Sequence, residues 1–145
     1  SNFFYKVADL NYLGPAGLRF FFLVSASGKI EWKLTVGAPI YSSPVLYDQN
    51  ILFGCHDCHV YLVNPSGVVV WKVLMDKPVF SSLDYSYNGL ISCANIEGSI
   101  FILNSGGEIV SRKQVPGHVF SSPIYFDTKI IVGCRDNYLY CLKGL

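Results

Sequence analysis

Charged residues are scarce in this chain of 145 residues, because Asp, Glu, Lys and Arg make up only 14% of it, against about 25% in ordinary soluble domains. Neither sign dominates, since 11 basic and 10 acidic residues leave a net charge of +1. Nucleic acids and anionic membranes are normally bound by an excess of positive charge. The apolar run at residues 20–24 is also far too short to cross a bilayer. We therefore expect no nucleic-acid partner and no membrane partner.

Residues that favour helices are few as well. The chain has 5 Ala and 3 Glu but 15 Val, 11 Ile, 10 Tyr and 10 Phe. β-Branched and aromatic side chains suit the pleated surface of a sheet, whereas alanine and glutamate favour helices. The composition predicts an all-β protein. With 51% hydrophobic residues, part of its apolar surface is expected to be covered by something outside this chain.

An even set of cysteines, which a disulfide-framed secreted domain would have, is missing. The five cysteines are Cys55, Cys58, Cys93, Cys134 and Cys141. An odd number favours a reducing compartment, in which cysteine behaves as a small apolar residue. The sequence therefore predicts a cytoplasmic protein.

What the chain does have is an internal repeat of 39 to 40 residues. A Ser-Ser pair begins at Ser42, Ser81 and Ser121. A Ser-Gly-x-x-x-Trp element ends at Trp32 and Trp71 with the same spacing, and Ser111 stands in place of the tryptophan in a third copy. Two independent markers that share one period indicate a repeat architecture.

Each period contains four short strands separated by turn residues, which is typical of a β-propeller blade. The predicted organisation is a degenerate partial blade at 1–37, blades at 38–76 and 77–116, and a partial blade at 117–145. A strand at residues 3–7 either completes the first blade or the last. The chain holds about 3.6 blades, whereas closed propellers have about 4–8.

An open arc of blades would leave apolar sheet faces in water at both ends. We therefore expect self-association that completes the propeller. A second copy would give a ring of about seven or eight blades, and closure of one chain would give a strained ring of about four.

Two kinds of repeated residue are predicted to be structural. Trp32 and Trp71 are expected to dock each blade against its neighbour, because a large aromatic face can cover adjacent apolar surface. Cys55, Cys93 and Cys134 are expected at equivalent strand positions, where burial would make their thiols unreactive.

The run Cys55-His-Asp-Cys58-His59 matches the attachment pattern of c-type haem, and its side chains could also bind zinc. The blade repeat explains this run without a ligand, and no second C-x-x-C is present to complete a zinc site. No metal site is predicted. A Gly-x-Ser-x-Gly nucleophile elbow is also absent, and we predict no catalytic residue.

In a four-stranded blade, the turn between the second and third strands lies on the same edge as the links between blades. A binding module would use this edge, so its charged residues are the candidates for contacting a ligand or partner. We call the following the rim residues: His56, Asp57, Lys77, Glu97, His118, Arg135 and Asp136.

Ser-Gly-x-x-x-Trp, Ser-Ser-Pro and Gly-Cys-x-Asp-x-x-x-Tyr together resemble the repeats of quinoprotein-type (PQQ-like) propellers. Residues 116–123 and 131–142 are similar to the C-terminal propeller of amino-acid-activating members of the acyl-CoA synthetase family. That resemblance implies a multidomain parent, in which an adenylate-forming ligase domain activates an amino acid with ATP and a carrier domain holds the product. This chain would be a non-catalytic binding or scaffold module that contacts those domains or an acyl-type ligand.

The alternative implied by the same resemblance is a PQQ- or metal-dependent oxidoreductase. A quinone site needs an acidic base, a calcium cage of oxygen ligands and basic groups for the quinone carboxylates. Here the acids Asp57, Glu97 and Asp136 are scattered one to a blade, and only Arg135 supplies an arginine in a matching turn. PQQ is not favoured, and no cofactor is expected.

Overall fold

A computed structural model describes the backbone of residues 3–8, 19–25 and 27–145, with side chains from residue 27 onwards. These residues form fourteen strands in four antiparallel sheets, so the predicted all-β class is confirmed. None of the described residues forms a helix that could span a membrane. Those parts of the predicted partial blade that fall at residues 1–2, 9–18 and 26 lie outside the described residues.

The first two sheets follow each other along the chain. Sheet 1 consists of β1 (Phe3–Ala8), β2 (Arg19–Ser25) and β3 (Ile30–Val36). Sheet 2 consists of β4 (Val45–Tyr47), β5 (Asn50–Gly54), β6 (His59–Val63) and β7 (Val69–Leu74). Because β1 pairs with β2 over its whole length, this strand belongs to the first sheet and does not complete the last.

The other two sheets repeat the arrangement. Sheet 3 consists of β8 (Asp84–Tyr85), β9 (Ile91–Ala94), β10 (Ser99–Leu103) and β11 (Ile109–Gln114). Sheet 4 consists of β12 (Ile124–Phe126), β13 (Lys129–Gly133) and β14 (Leu139–Lys143). Within each sheet, every strand pairs with the next along the chain, so every sheet is a simple meander.

The turn before the last strand is built in the same way in sheets 2 and 3. The side-chain oxygens of Asn64 and Asn104 accept backbone N–H bonds of 3.0 Å from residues two and four positions later. Gly67 and Gly107 follow at φ values of 83° and 81°, a conformation that glycine adopts without strain. The turn sequence that recurs in the repeat therefore forms a hairpin that an asparagine side chain stabilises.

Three apolar clusters lie between successive sheets and form the core. Phe53 and Val36 pack between sheets 1 and 2, Phe101 and Leu62 between sheets 2 and 3, and Ile102 with its neighbours between sheets 3 and 4. Each inner sheet therefore buries both of its faces. Such burial contributes roughly 25 cal/mol for each Å² of apolar surface removed from water, which makes stacking the main source of stability.

The Ser-Ser pairs join the sheets near their first strands. The backbone N–H of Ser43 donates to the hydroxyl of Ser82 at 2.9 Å, and the N–H of Ser82 donates to the hydroxyl of Ser122 at 3.0 Å. We call this series the serine ladder. It explains why a small hydroxyl residue recurs at this position.

The repeated cysteine position was only partly predicted. The same turn hydrogen bond is made by the N–H groups of Cys55, Asn95 and Cys134, at 2.9 to 3.0 Å. Asn95, and not Cys93, is therefore the counterpart of Cys55. Cys93 lies two residues earlier on β9, where it is fully buried between sheets 2 and 3.

Sheet 4 leaves one apolar face uncovered. The turn alignment makes Val60, Ile100 and Leu139 equivalent, and these residues are 0%, 1% and 73% exposed. Phe126 and Ile124 are also exposed, by 65% and 56%. A face that the neighbouring sheet buries in sheets 2 and 3 is therefore in water in sheet 4.

Candidate functional site

The rim residues lie in two kinds of loop that the backbone ties together. Hydrogen bonds of 2.9 to 3.0 Å join His56 to Pro39, Ile96 to Pro78 and Arg135 to His118. In sheets 2, 3 and 4, the turn before the third strand thus contacts the link that leads into the first strand. The geometry places the turns and links on one edge, which we call the rim.

An open depression of about 550 Å³ lies on the rim between sheets 3 and 4. Its charged or ionisable lining residues are four of the predicted seven, Glu97, His118, Arg135 and Asp136, and Pro116 and Gly117 complete it. Lys77 lies beside it, with its ammonium 3.8 Å from the carboxylate of Glu97. His56 and Asp57 lie apart, in the turn of sheet 2.

Three aromatic rings follow the rim, and we call them the aromatic row: Tyr41, Phe80 and Phe120. The rings of Tyr41 and Phe80 stack with centroids 4.9 Å apart, and Phe80 meets Phe120 edge to face at 5.2 Å. Each ring precedes a Ser-Ser pair, so the repeat itself brings the three together. This row was not predicted from the sequence, although the aromatic residue before each Ser-Ser pair is a visible signal of it.

The aromatic row positions one cation at the depression. The guanidinium carbon of Arg135 lies 4.6 Å from the ring centroid of Phe120, a cation–π contact. The ring of His118 meets Phe120 edge-on at 6.4 Å. Among residues 27–145, no carboxylate forms an ion pair with Arg135. Its five N–H donors are therefore well suited to a carboxylate or phosphate group of a ligand.

Two of the predicted rim carboxylates form hydrogen bonds within their own turns. Asp57 accepts hydrogen bonds from the hydroxyl of Tyr61 and the N–H of His59, and Asp136 accepts the same pair from Tyr140 and Tyr138. The Tyr140 hydroxyl holds the pKa of the Asp136 carboxyl below its ordinary value, and Asp136 raises the pKa of Tyr140 to about 12. These carboxylates stabilise the turn.

The Cys55–His59 run does not converge on a common point. Cys55 is buried in the cluster between sheets 1 and 2, where burial raises the pKa of its thiol to about 12. The ring of His56 packs edge-on against Tyr41, whereas His59 contacts the backbone oxygen of Asp57 through Nδ1 at 2.9 Å. In the described part of the chain, no three His, Cys, Asp or Glu side chains are grouped closely enough to hold a metal.

Trp32 and Trp71 each contact the next sheet at its last turn. The indole N–H of Trp32 donates to the carbonyl of Pro65 at 2.9 Å, and that of Trp71 donates to Ser105 at 3.1 Å. A Cβ added at Gly67 or Gly107 would lie 2.7 Å from the indole of Trp32 or Trp71, respectively. Glycine is thus required at this position for two reasons: the positive φ disfavours other residues, and the indole ring leaves no room for a Cβ atom. Ser111 stands at the corresponding position of β11.

No protein-family model matches the sequence. Curated relatives do match it, and each is named beta-alanine-activating enzyme. The protein from Homo sapiens is 39% identical over 105 residues, which are 68% of this chain and 10% of that protein. The protein from Drosophila melanogaster is 32% identical over 133 residues, which are 89% of this chain and 9% of that protein. The chain spans about a tenth of the length of these relatives.

Two solved structures share the fold at low sequence identity. The computationally designed Ika8 protein matches 99% of this chain with a TM-score of 0.80 at 12% identity, and the match covers 43% of that protein. The computationally designed Ika4 protein matches 99% with a TM-score of 0.81 at 13% identity, and there the match covers 86%. In sequence, however, the chain is related to one segment of the beta-alanine-activating enzymes.

Proposed function

We propose that this chain is a non-catalytic β-propeller module of a multidomain protein that activates an amino acid as its adenylate. The similarity to beta-alanine-activating enzymes carries this proposal, since three of the relatives share 32% to 39% of the aligned residues. In this setting the adenylate-forming domain belongs to the acyl-CoA synthetase family and catalyses the ligase reaction elsewhere in the parent. The odd number of cysteines supports a cytoplasmic location.

The rim is the proposed contact surface for the other domains of the parent or for an acyl-type ligand. Arg135 supports this role, because Phe120 holds its guanidinium in place beside the depression. Preorganised donors lose little side-chain entropy when they bind. The carboxylates of Asp57 and Asp136 are already hydrogen-bonded within their own turns. A general base needs an available carboxylate, so this arrangement supports a binding role for the rim over a catalytic one.

The first test is the open reading frame that encodes this chain. We expect it to encode an adenylate-forming domain as well, and a frame without one contradicts the proposal. Binding is then measured between the purified chain and the separately expressed remainder of that protein. Arg135→Ala is expected to weaken the complex about tenfold. Lys129→Ala alters an exposed lysine next to the turn between β12 and β13, at the edge opposite the rim. It is the matched control and should leave the affinity unchanged.

Absorption spectroscopy and metal analysis distinguish this module from a quinone- or metal-dependent oxidoreductase. We expect a purified protein without visible absorbance and without stoichiometric metal. A quinone chromophore or one metal ion per chain would favour the oxidoreductase and contradict the binding module.

We further propose that a second copy covers the bare face of sheet 4 and completes the ring. Leu139, Phe126 and Ile124 support this, because they repeat an interface that the chain already makes three times. The two designed proteins also support it. At nearly equal TM-scores, this chain matches nearly all of one and less than half of the other, so the same arrangement occurs in chains of about one and two such lengths.

Sedimentation at micromolar concentration tests the ring. A dimer is expected, and Leu139→Lys should dissociate it because a charge would be buried in the interface. Val70→Lys, which alters an exposed residue on β7 of sheet 2, is the control and should not. A monodisperse monomer of 16.1 kDa would exclude the two-chain ring and leave closure of a single chain.

A further inference from the structure

A second cleft lies at the edge of the sheets opposite the rim. It has a volume of about 360 Å³ and is formed by the turn between β4 and β5, the loop between β8 and β9, and Ser105. The proposed function does not use this edge. The volume falls near the lower end of small-molecule sites.

One wall of the cleft is the loop that departs from the repeat. Sheets 2 and 4 connect their first two strands by two residues, whereas sheet 3 uses residues 86–90. Tyr87, in this loop, is 100% exposed. In repeat proteins, insertions on one edge often mark the binding surface.

Hydrogen bonds hold this loop in one conformation. The N–H of Ser86 donates to Leu90 at 2.8 Å, and the N–H of Gly89 donates to Ser86 at 2.9 Å. The hydroxyl of Tyr47 in sheet 2 donates to the carbonyl of Gly89 at 2.6 Å. The loop is thus fixed to the neighbouring sheet, so the exposure of Tyr87 belongs to an ordered loop.

The lining is aromatic and carries a single charge. Three tyrosines contribute to it, and the rings of Tyr47 and Tyr85 meet at 84° with centroids 5.2 Å apart. Among the described residues that line the cleft, Asp48 supplies the one carboxylate, and none is Lys, Arg or His. Ring faces attract cations, and a nearby carboxylate adds to that attraction.

We propose that this cleft binds a small organic ammonium ion, with Asp48 as its counter-ion and Tyr85 and Tyr87 as aromatic walls. The rim differs in chemistry, because Arg135 faces its depression. The two edges would therefore select ligands of different charge.

The test is a titration of the full chain with choline, followed by NMR of the tyrosine ring signals. The uncharged isostere 3,3-dimethylbutan-1-ol is the matched ligand. Asp48→Asn removes the charge and suits the φ of 46° at this position, because asparagine tolerates positive φ. Asp127→Asn makes the same change in the equivalent turn of sheet 4, at φ 55°, and is the control. Tyr87→Ala removes one wall without removing a buried contact.

We expect saturable binding of choline that shifts the signals of Tyr85 and Tyr87. The isostere and Asp48→Asn should each weaken binding about tenfold, and Tyr87→Ala about fivefold, whereas Asp127→Asn should bind as the unaltered chain does. Equal binding of the isostere, an unchanged affinity of Asp48→Asn or the absence of saturation would each overturn the proposal. Since choline does not depend on a parent protein, this result is independent of the test of the rim.

Discussion

Sheets 3 and 4 carry the same repeated strand in opposite surroundings. Ile100 in sheet 3 is buried against sheet 4, whereas its counterpart Leu139 in sheet 4 faces water. The residues are equally apolar, so the difference comes from the neighbour and not from the side chain. In a stacked repeat, each sheet is stabilised by the sheet that follows it.

The largest expected difference between the buried and the bare faces is thiol reactivity. Burial raises the pKa of Cys93 to about 12, so far less of its thiol is ionised at pH 8 than the thiol of an exposed cysteine. Cys141 is exposed on sheet 4. In a dilute monomer, labelling with a thiol reagent should therefore modify Cys141 rapidly and Cys93 only after denaturation. Fast labelling of Cys93 in the folded chain would show that the sheets separate readily.

Truncation of the paired positions should separate the two faces in stability. Ile100→Ala is expected to cost about 2–5 kcal/mol of unfolding free energy, because it opens a cavity between two sheets. Leu139→Ala should change that free energy by less than about 0.5 kcal/mol in a dilute monomer. Urea unfolding at low concentration measures both. Equal losses would mean that the chain covers Leu139 itself, as in a four-bladed closure.

The tryptophan position of the repeat allows a similar comparison, between Trp71 on β7 and Ser111 on β11. Trp71→Ala should cost about 3 kcal/mol, because the indole packs on Gly107 and bonds to Ser105 in the next sheet. Ser111→Ala alters the corresponding position of β11 and should cost less than about 0.5 kcal/mol. A thermal midpoint that Trp71→Ala leaves unchanged would refute the docking role of Trp71.

The smallest expected effect concerns the turn carboxylate of sheet 4. The Tyr140 hydroxyl lowers the pKa of Asp136 below 3.8, so the ionised carboxylate is favoured in the folded state. The resulting stability is present above about pH 4 and is lost as the pH falls through the lowered pKa. Asp136→Asn should therefore lower the thermal midpoint slightly at pH 7.

The difference between Asp136→Asn and the unaltered chain should shrink below about pH 4. Asp127→Asn removes another carboxylate from the same sheet and is the control. A difference that is constant between pH 7 and pH 3 would show that ionisation of Asp136 does not contribute.

Much of the fold follows from the repeat, because the spacing of serines, glycines and tryptophans reports directly on turns and strands. The all-β class rests on the abundance of β-branched residues and is confirmed. The equivalence of Cys93 and Cys55 was wrong, because the two cysteines were matched by residue type and not by their position relative to the turn. Only the hydrogen bond from Asn95 reveals the true counterpart.

The position of the candidate site along the chain could be predicted from the sequence, but the interactions of its side chains could not. The charged residues that line the depression follow from the position of turns and links along the repeat. The binding of Asp57 and Asp136 to tyrosine hydroxyls does not, because a partner four residues away is recognised only from side-chain directions. The aromatic row depends on contacts between three sheets, which a single repeat does not contain.

The serine ladder has a direction. In both of its bonds the earlier sheet supplies the N–H and the later sheet supplies the hydroxyl. The two ends of the series of hydrogen bonds are therefore unlike, and a face-to-face pair with twofold symmetry cannot continue it. Copies that extend it must join donor end to acceptor end, a heterologous contact that either closes on itself or grows into a filament.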